Sequence, residues 1–147
     1  MNQNFYLIKI VPVTGTTTLC ELVRVQKKVF DITEAYREVN TDIVECVNPA
    51  KDKHFPNIVM MVDEEGKFKK SMPNFIATLI FNPDSGFDVI VGNALLCKHN
   101  PRTYNWEAFT FEEAVKQMYV LTTWISKIRP KYEQHVQYCV INSRKES

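Results

Sequence analysis

A short stretch of the chain combines basic and aromatic side chains in a pattern that can hold an anion. Its members are Lys98, His99, Arg102, Tyr104 and Trp106. Cationic side chains neutralise a phosphate or carboxylate, and aromatic rings offer a face on which a planar group can stack. We predict a ligand or partner surface here, in a long loop covering 98–106. The structural alternative is a surface loop pinned by one buried tryptophan.

Metal and nucleophile chemistry has little support in the sequence. The four cysteines are Cys20, Cys46, Cys97 and Cys139. No two of them have the close spacing of a zinc knuckle, and Cys97 with His99 would supply only two ligands. We expect no metal and no cofactor, and we predict no catalytic residue. A cysteine paired with a histidine distant in sequence stays open, because such partners meet only in the fold.

Glycine content excludes several phosphate-binding motifs. The chain has only four glycines, Gly15, Gly66, Gly86 and Gly92. A Walker-type loop, a dinucleotide fingerprint and a nucleophile elbow all need glycines at fixed spacing, where a Cβ would collide with the ligand or the neighbouring backbone. None of these motifs fits this sequence.

Composition predicts one globular domain over 1–147, with a polar tail from about 142. The chain is 45% hydrophobic and 24% charged, with a net charge of +1. This balance disfavours nucleic acid as a partner, since phosphate-binding proteins usually carry a basic excess. No apolar run reaches the roughly 18 residues of a membrane span, so we expect no membrane partner and a cytoplasmic location. A homo-oligomer stays open.

Hydrophobic patterning predicts an α+β fold with a single small mixed sheet. Strands are predicted where β-branched and aromatic residues cluster, at 5–13, 18–25, 41–47, 57–62, 88–96 and 132–141. A short helix is predicted at 32–39, capped by Asp31. The apolar run at 75–81 fits either a strand or a helix, and we favour a short helix because Asn74 is a good cap.

The last predicted helix is the longest, and we expect it to pack on the sheet. It begins after Thr110 and is ended or kinked at Pro130. Its apolar stripe is predicted to consist of Ala114, Met118, Leu121, Ile125 and Ile128, widened by Phe111.

The stretch from Val62 to Leu96 resembles a known protein family. It contains VDEEGK at 62–67, a Pro-Asn-x-x-Ala-Thr motif ending at Thr78, and DVIVGNALL at 88–96. In order and spacing these segments resemble the family catalogued as domain of unknown function three-eight-four-six. The resemblance implies an origin in bacteriophages or mobile elements, but no established activity. The helix from Phe111 is interpreted as an extension beyond the family's core.

The motif residues have structural and functional interpretations. They are Asn74, Thr78, Asp88, Gly92 and Asn93. Asn74 is best explained as a helix cap, and Thr78 can donate back to a helix carbonyl. Because glycine weakens a strand, Gly92 with Asn93 predicts a bulge or a place where a partner meets the backbone, and we favour the bulge.

These observations favour a non-catalytic binding protein. The resemblance suggests that it acts on a factor of the bacterial host, for example as an inhibitor of a defence component. Two alternatives stay open. One is a binder of a small anionic ligand, such as a nucleotide signal, and the other is an enzyme with an unrecognised site.

Overall fold

The computed structural model describes residues 4–14, 17–49, 55–66, 68–81, 89–132 and 138–143. Eight strands are present in this part of the chain. They are β1 Phe5–Pro12, β2 Thr17–Val25, β3 Val44–Val47, β4 Ile58–Asp63, β5 Ala94–His99, β6 Trp106–Glu107, β7 Phe109–Thr110 and β8 Tyr138–Ser143. The three helices are α1 Ile32–Val39, α2 Phe75–Phe81 and α3 Phe111–Tyr132.

All eight strands join one sheet, which confirms the predicted α+β fold. The strand order is β3-β4-β5-β1-β2-β8, while β6 pairs with β5 and β7 pairs with β1. Every pairing is antiparallel except that of β8 with β2, so the sheet is mixed as predicted. β1 pairs with β2 along its full length and forms an N-terminal hairpin.

Helices cover both faces of the sheet. On one face α2 and α3 bury apolar residues against β1, β2, β4 and β5. The predicted stripe of α3 is confirmed, because Ala114, Met118, Leu121 and Ile125 are all buried and Ile128 packs beside them. On the other face, Ala35 and Val39 place α1 over a second apolar cluster. Each helix therefore buries one stripe, which keeps both faces of the central strands out of water.

The first helix forms as its sequence predicts. Asp31 accepts from the Thr33 amide at 3.0 Å, and the Glu34 carboxylate accepts from the Asp31 amide at 3.3 Å. This capping box satisfies two amides that the first turn leaves without helical partners. The helix ends at Asn40, whose φ of 63° is left-handed.

The structure corrects the strand predicted at 88–96. That strand begins only at Ala94 and continues to His99, while Val91 makes a single bridge to Pro73. Gly92 therefore lies outside any strand, and the predicted bulge is wrong. Its φ is 78°, and its amide donates to the Met72 carbonyl at 2.7 Å, which joins this bend to the segment before α2. Glycine adopts this backbone without the Cβ penalty that other residues have.

Three further boundaries differ from prediction. The helix α3 continues through Pro130 to Tyr132. The final strand covers 138–143, so it includes the start of the segment predicted as a polar tail. Phe111 does not widen the buried stripe of α3, because its side chain is 52% exposed and only its ring edge contacts Tyr6.

Candidate functional site

The hairpin of β5 and β6 carries the predicted surface. Direct pairing joins Lys98 to Glu107 and His99 to Trp106, so residues 98 and 99 belong to a strand and the loop itself is shorter than predicted. We call residues 100–105 the Tyr104 loop. Side chains directly opposite each other share a face of the sheet. His99 and Trp106 therefore lie on one face, and Lys98 and Glu107 on the other.

Hydrogen bonds to Asn100 fix the shape of the Tyr104 loop. The Asn100 amide donates to the Asn105 carbonyl at 2.9 Å, and the Asn100 carbonyl accepts from the Tyr104 amide at 2.7 Å. The Asn100 side-chain oxygen accepts from the amides of Arg102 at 2.9 Å and Thr103 at 3.3 Å. Asparagine commonly organises turns in this way. The loop is therefore held in one conformation by its own backbone.

Tyr104 occupies an unfavourable backbone conformation at the tip of this loop. Its φ is 61°, and its side chain is 77% exposed. Among the described non-glycine residues with positive φ, the others are two asparagines and a lysine. An aromatic residue in this region has a cost of about 1–2 kcal/mol relative to a right-handed one. The ring gains one contact in return, with His99 at a centroid distance of 6.1 Å.

Trp106 does not pin the loop into the core. Its side chain is 38% exposed, so the structural alternative of a loop pinned by a buried tryptophan is wrong. The buried tryptophan of the described chain is Trp124, which packs edge-on against Phe55 with ring centroids 5.1 Å apart. The position of Trp124 beside the apolar stripe of α3 is the feature that distinguishes these two tryptophans in the sequence.

Lys98 lies apart from the other predicted residues. Its ammonium nitrogen contacts both carboxylate oxygens of Glu113 on α3, at 2.7 and 2.9 Å. Lys98 is thus bound to α3, while His99 pairs with Trp106 in the hairpin and its ring contacts Tyr104. Arg102 projects from the loop and is exposed.

A groove of about 860 Å³ separates the hairpin from α3. Its floor includes Ile58 and Phe109, and its helix wall includes Lys116 and Val120. Its other wall includes the predicted residues Lys98, His99 and Arg102. Tyr104 and Trp106 do not line the groove. The groove is open to solvent along one side, and its volume lies within the range of small-molecule pockets.

Glu113 has a lowered pKa because of its contacts in this groove. The Thr110 amide donates to its carboxylate at 2.8 Å, and the Glu113 amide donates to the Thr110 hydroxyl at 3.2 Å, so the two residues form a capping box. Burial alone would raise the pKa of Glu113, but the hydrogen bonds from Lys98 and Thr110 outweigh it and bring the pKa below its usual value. Glu113 is thus an ionised carboxylate whose negative charge is balanced by the Lys98 ammonium.

Glu107 is the second acid of the groove, and its charge is also balanced by a nearby cation. It is buried, and its carboxylate lies 3.8 Å from the Lys28 ammonium and accepts from the Asn100 side-chain amide at 3.1 Å. Glu107, Lys116 and Gln117 also line the groove and were not predicted as site residues. The spacing of 113, 116, 117 and 120 along one helix face is the signal that identifies the helix wall.

Asn74 joins the first turn of α2 to two other segments. Its side-chain amide donates to the carbonyls of Ile10 and Gly92, both at 2.9 Å, and its side-chain oxygen accepts from the Ala77 amide at 3.1 Å. The side chain is completely buried. The predicted cap is confirmed, and Asn74 also connects β1 to the segment before β5.

Thr78 and Asn93 extend the same connection. The Thr78 hydroxyl donates to the Asn74 carbonyl at 2.8 Å, as predicted, and accepts from the Ile90 amide at 2.9 Å. The Asn93 side-chain amide donates to the Glu38 carbonyl at 3.1 Å. We call the set Asn74, Thr78, Ile90 and Gly92 the Asn74 latch. Asp88, the remaining motif residue, lies outside the described residues.

The cysteines show no arrangement for nucleophilic or metal chemistry within the described part of the chain. Cys20 and Cys97 are buried and Cys46 is exposed. Burial raises the pKa of the Cys97 thiol, which therefore stays protonated beside His99. Among the described residues, no three of the types His, Cys, Asp and Glu group as metal ligands. No described helix has the length and apolar character needed to cross a bilayer.

Comparison with known proteins identifies the family. No curated protein and no solved structure matches the chain. A family model with the description "Domain of unknown function (DUF3846)" matches residues 8–119. The match is longer than the resemblance between 62 and 96 and includes the first turns of α3, so interpreting that helix as an extension beyond the family's core was wrong for its N-terminal part. The chain belongs to the DUF3846 family.

Proposed function

We propose that this protein is a non-catalytic binding protein whose contact with a partner protein is centred on the Tyr104 loop. The observation that carries the proposal is Tyr104 itself, a largely exposed aromatic residue in left-handed backbone. The fold gains little from a tyrosine at this position, since Gly or Asn would adopt the same φ at lower cost. Strained residues of this kind cluster at functional sites, which supports a role for the ring outside the folded chain.

The surroundings of Tyr104 suit a protein interface. Arg102 and Trp106 flank it, and Tyr, Trp and Arg are the residue types that most often dominate binding energy at interfaces. The loop is fixed by the Asn100 hydrogen bonds, so little conformational entropy is lost when a partner docks. These features support a preformed contact surface.

The partner that we propose is a protein of the bacterial host. The family resemblance implies a phage or mobile-element origin, and such genes often encode factors that bind and block host proteins. A role as an inhibitor of a host defence component is consistent with this association, which rests on family context.

Capture from a bacterial lysate tests the proposal with two matched variants. Immobilised wild-type protein is expected to retain one host protein near equal stoichiometry. Tyr104→Asn is expected to retain at least about tenfold less, as for an interface residue worth 1.4 kcal/mol or more.

The control is Phe68→Ala, which removes another exposed aromatic ring. Phe68 is 88% exposed in the turn after β4, and therefore lies at the end of the sheet opposite the Tyr104 loop. This variant is expected to retain the partner like the wild type. Absence of any stoichiometric partner, or equal retention by Tyr104→Asn, would contradict the proposal.

A further inference from the structure

The groove beside the Tyr104 loop is built from two walls over an apolar floor. On one wall are the end of β5 and the loop residue Arg102, and on the other is the face of α3 that carries Lys116 and Val120. Phe109 and Ile58 in the floor are almost completely buried within the fold. They therefore give the groove an apolar floor that is packed in place by the core. An apolar side chain can therefore be buried here between polar walls.

The charges of the groove do not cancel. Both acids are neutralised locally, Glu113 by Lys98 at 2.7 Å and Glu107 by Lys28 at 3.8 Å and by the Asn100 amide. Arg102 and Lys116 are exposed on opposite walls, and neither side chain has an ion-pair partner among the described residues. Within the part of the chain that the structure describes, the groove therefore presents two positive charges without an ion-pair partner, which favour an anionic occupant and disfavour a basic one.

The position of the groove favours a segment of a protein as that occupant. Arg102 belongs both to the groove wall and to the Tyr104 loop, so the groove continues directly into the proposed contact surface. An open groove beside an exposed, fixed loop can hold a chain that extends beyond it, whereas a small ligand would leave one side of itself in water.

We infer that the groove binds an acidic segment of the partner protein, with an apolar side chain over Phe109 and Val120 and acidic side chains towards Arg102 and Lys116. This inference rests on the proposed function and specifies which side chains of the partner protein contact the groove. It predicts that binding weakens as salt rises, because the two cations are exposed and screened by counterions.

Selection from a displayed library of random peptides tests the inference. Peptides that bind the wild-type protein are expected to carry net negative charge and at least one large apolar residue. A selected peptide, followed by fluorescence anisotropy, is expected to bind Arg102→Glu and Lys116→Glu each roughly three- to tenfold more weakly, as for exposed charge contacts at an interface. The matched control is Lys70→Glu, an exposed reversal in the turn after β4, which is expected to leave the affinity unchanged within about twofold.

Several outcomes would overturn the inference. These are a library that enriches no peptide, peptides without acidic bias, and equal binding by both groove variants. Thermal stabilisation of the wild type by a nucleotide, lost in the Arg102→Glu/Lys116→Glu double variant, would assign the groove to a small anion instead.

Lysate capture separates this inference from the proposed function. Capture that is lost in Tyr104→Asn but intact in both Arg102→Glu and Lys116→Glu would reject the acidic segment and keep the partner contact. Capture that is lost in the groove variants but retained by Tyr104→Asn would place the contact in the groove and reject the central role of the loop.

Discussion

Each end of the sheet contains an asparagine whose side chain organises the neighbouring backbone. The two asparagines differ in which segments their hydrogen bonds join. At the end where β4 finishes and β5 begins, Asn74 uses its side-chain oxygen to cap a helix and its amide to bind two carbonyls of other segments. At the other end, Asn100 uses its side-chain oxygen to accept from two amides of its own loop. Asn74 joins buried elements, whereas Asn100 shapes a surface.

Burial explains the difference between these ends. Around Asn74 the side chains of Asn74 and Thr78 are hydrogen-bonded to carbonyls and amides within the fold, so they are engaged in holding segments together. Around Asn100 the loop backbone is satisfied, but Arg102 and Tyr104 remain exposed. A family motif of polar residues can therefore mark a structural junction, and less patterned residues can mark the surface that is free to bind.

Asn74→Ala is the variant with the largest expected effect on stability, and it tests whether the Asn74 latch is a structural junction. The change leaves the carbonyls of Ile10 and Gly92 without their buried donor and removes the α2 cap. We expect the free energy of unfolding to fall by about 2–4 kcal/mol, since unsatisfied buried groups and a lost cap each have a cost of roughly 1–2 kcal/mol. Urea unfolding followed by circular dichroism measures it.

The matched control is Asn105→Ala at the opposite end. Asn105 is exposed, and both of its described hydrogen bonds are made by backbone atoms that the substitution keeps. Its amide donates to the Thr103 hydroxyl at 3.3 Å, and its carbonyl accepts from the Asn100 amide at 2.9 Å. We expect a change below about 0.5 kcal/mol. A loss of under 1 kcal/mol for Asn74→Ala would show that the latch is not a structural junction.

A smaller effect at the latch is expected from Gly92→Ala. The added Cβ would lie 3.5 Å from the Ser71 Cβ, which is ordinary contact, so the cost comes from the backbone φ of 78°. We expect a loss of about 1–2 kcal/mol in the free energy of unfolding. Gly92→Asn should lose less, because asparagine tolerates this region better. Equal losses for both variants in urea unfolding would argue against a backbone origin.

The fold was largely predictable because its signals are local. The alternation of β2, the capping box at Asp31 and the four-three stripe of α3 each depend on residues that are near in sequence. The error at 88–96 has a physical reason. Ile90 is held in an irregular segment by hydrogen bonds to Asn74 and Thr78, and bonds between residues so far apart in sequence produce no periodic pattern.

The candidate site was predictable only in part. Composition identified the basic and aromatic residues, but not that the hairpin would divide Lys98 from His99 and Trp106. The helix wall at Lys116 was not predicted, because its role depends on how α3 lies beside β5. The left-handed backbone of Tyr104 is likewise invisible in sequence, since tyrosine gives no signal for positive φ.

At the groove, Glu113→Gln tests the ion pair and keeps the cap, because glutamine can still accept from the Thr110 amide. The folded-state pKa of Glu113 is lowered, so the stabilisation by its charge is complete above its unfolded pKa of about 4.3 and is lost as pH falls through the folded value. We expect wild type to be more stable by under about 1 kcal/mol at pH 7, since the carboxylate is partly exposed. A pH series of thermal unfolding should show the difference shrinking in acid, and a constant difference would contradict the ion pair.

The smallest expected change in stability is that of Tyr104→Asn. This variant tests whether the Tyr104 ring stabilises the hairpin or is free to contact a partner. Asparagine relieves the left-handed strain, while the variant loses the ring contact with His99. These effects oppose each other, so the free energy of unfolding should stay equal or rise by up to about 1 kcal/mol. A residue that stabilises the fold would behave in the opposite way. A loss above 1 kcal/mol in urea unfolding would mean that the ring serves the hairpin itself, and the contrast between a structural latch and a free binding loop would disappear.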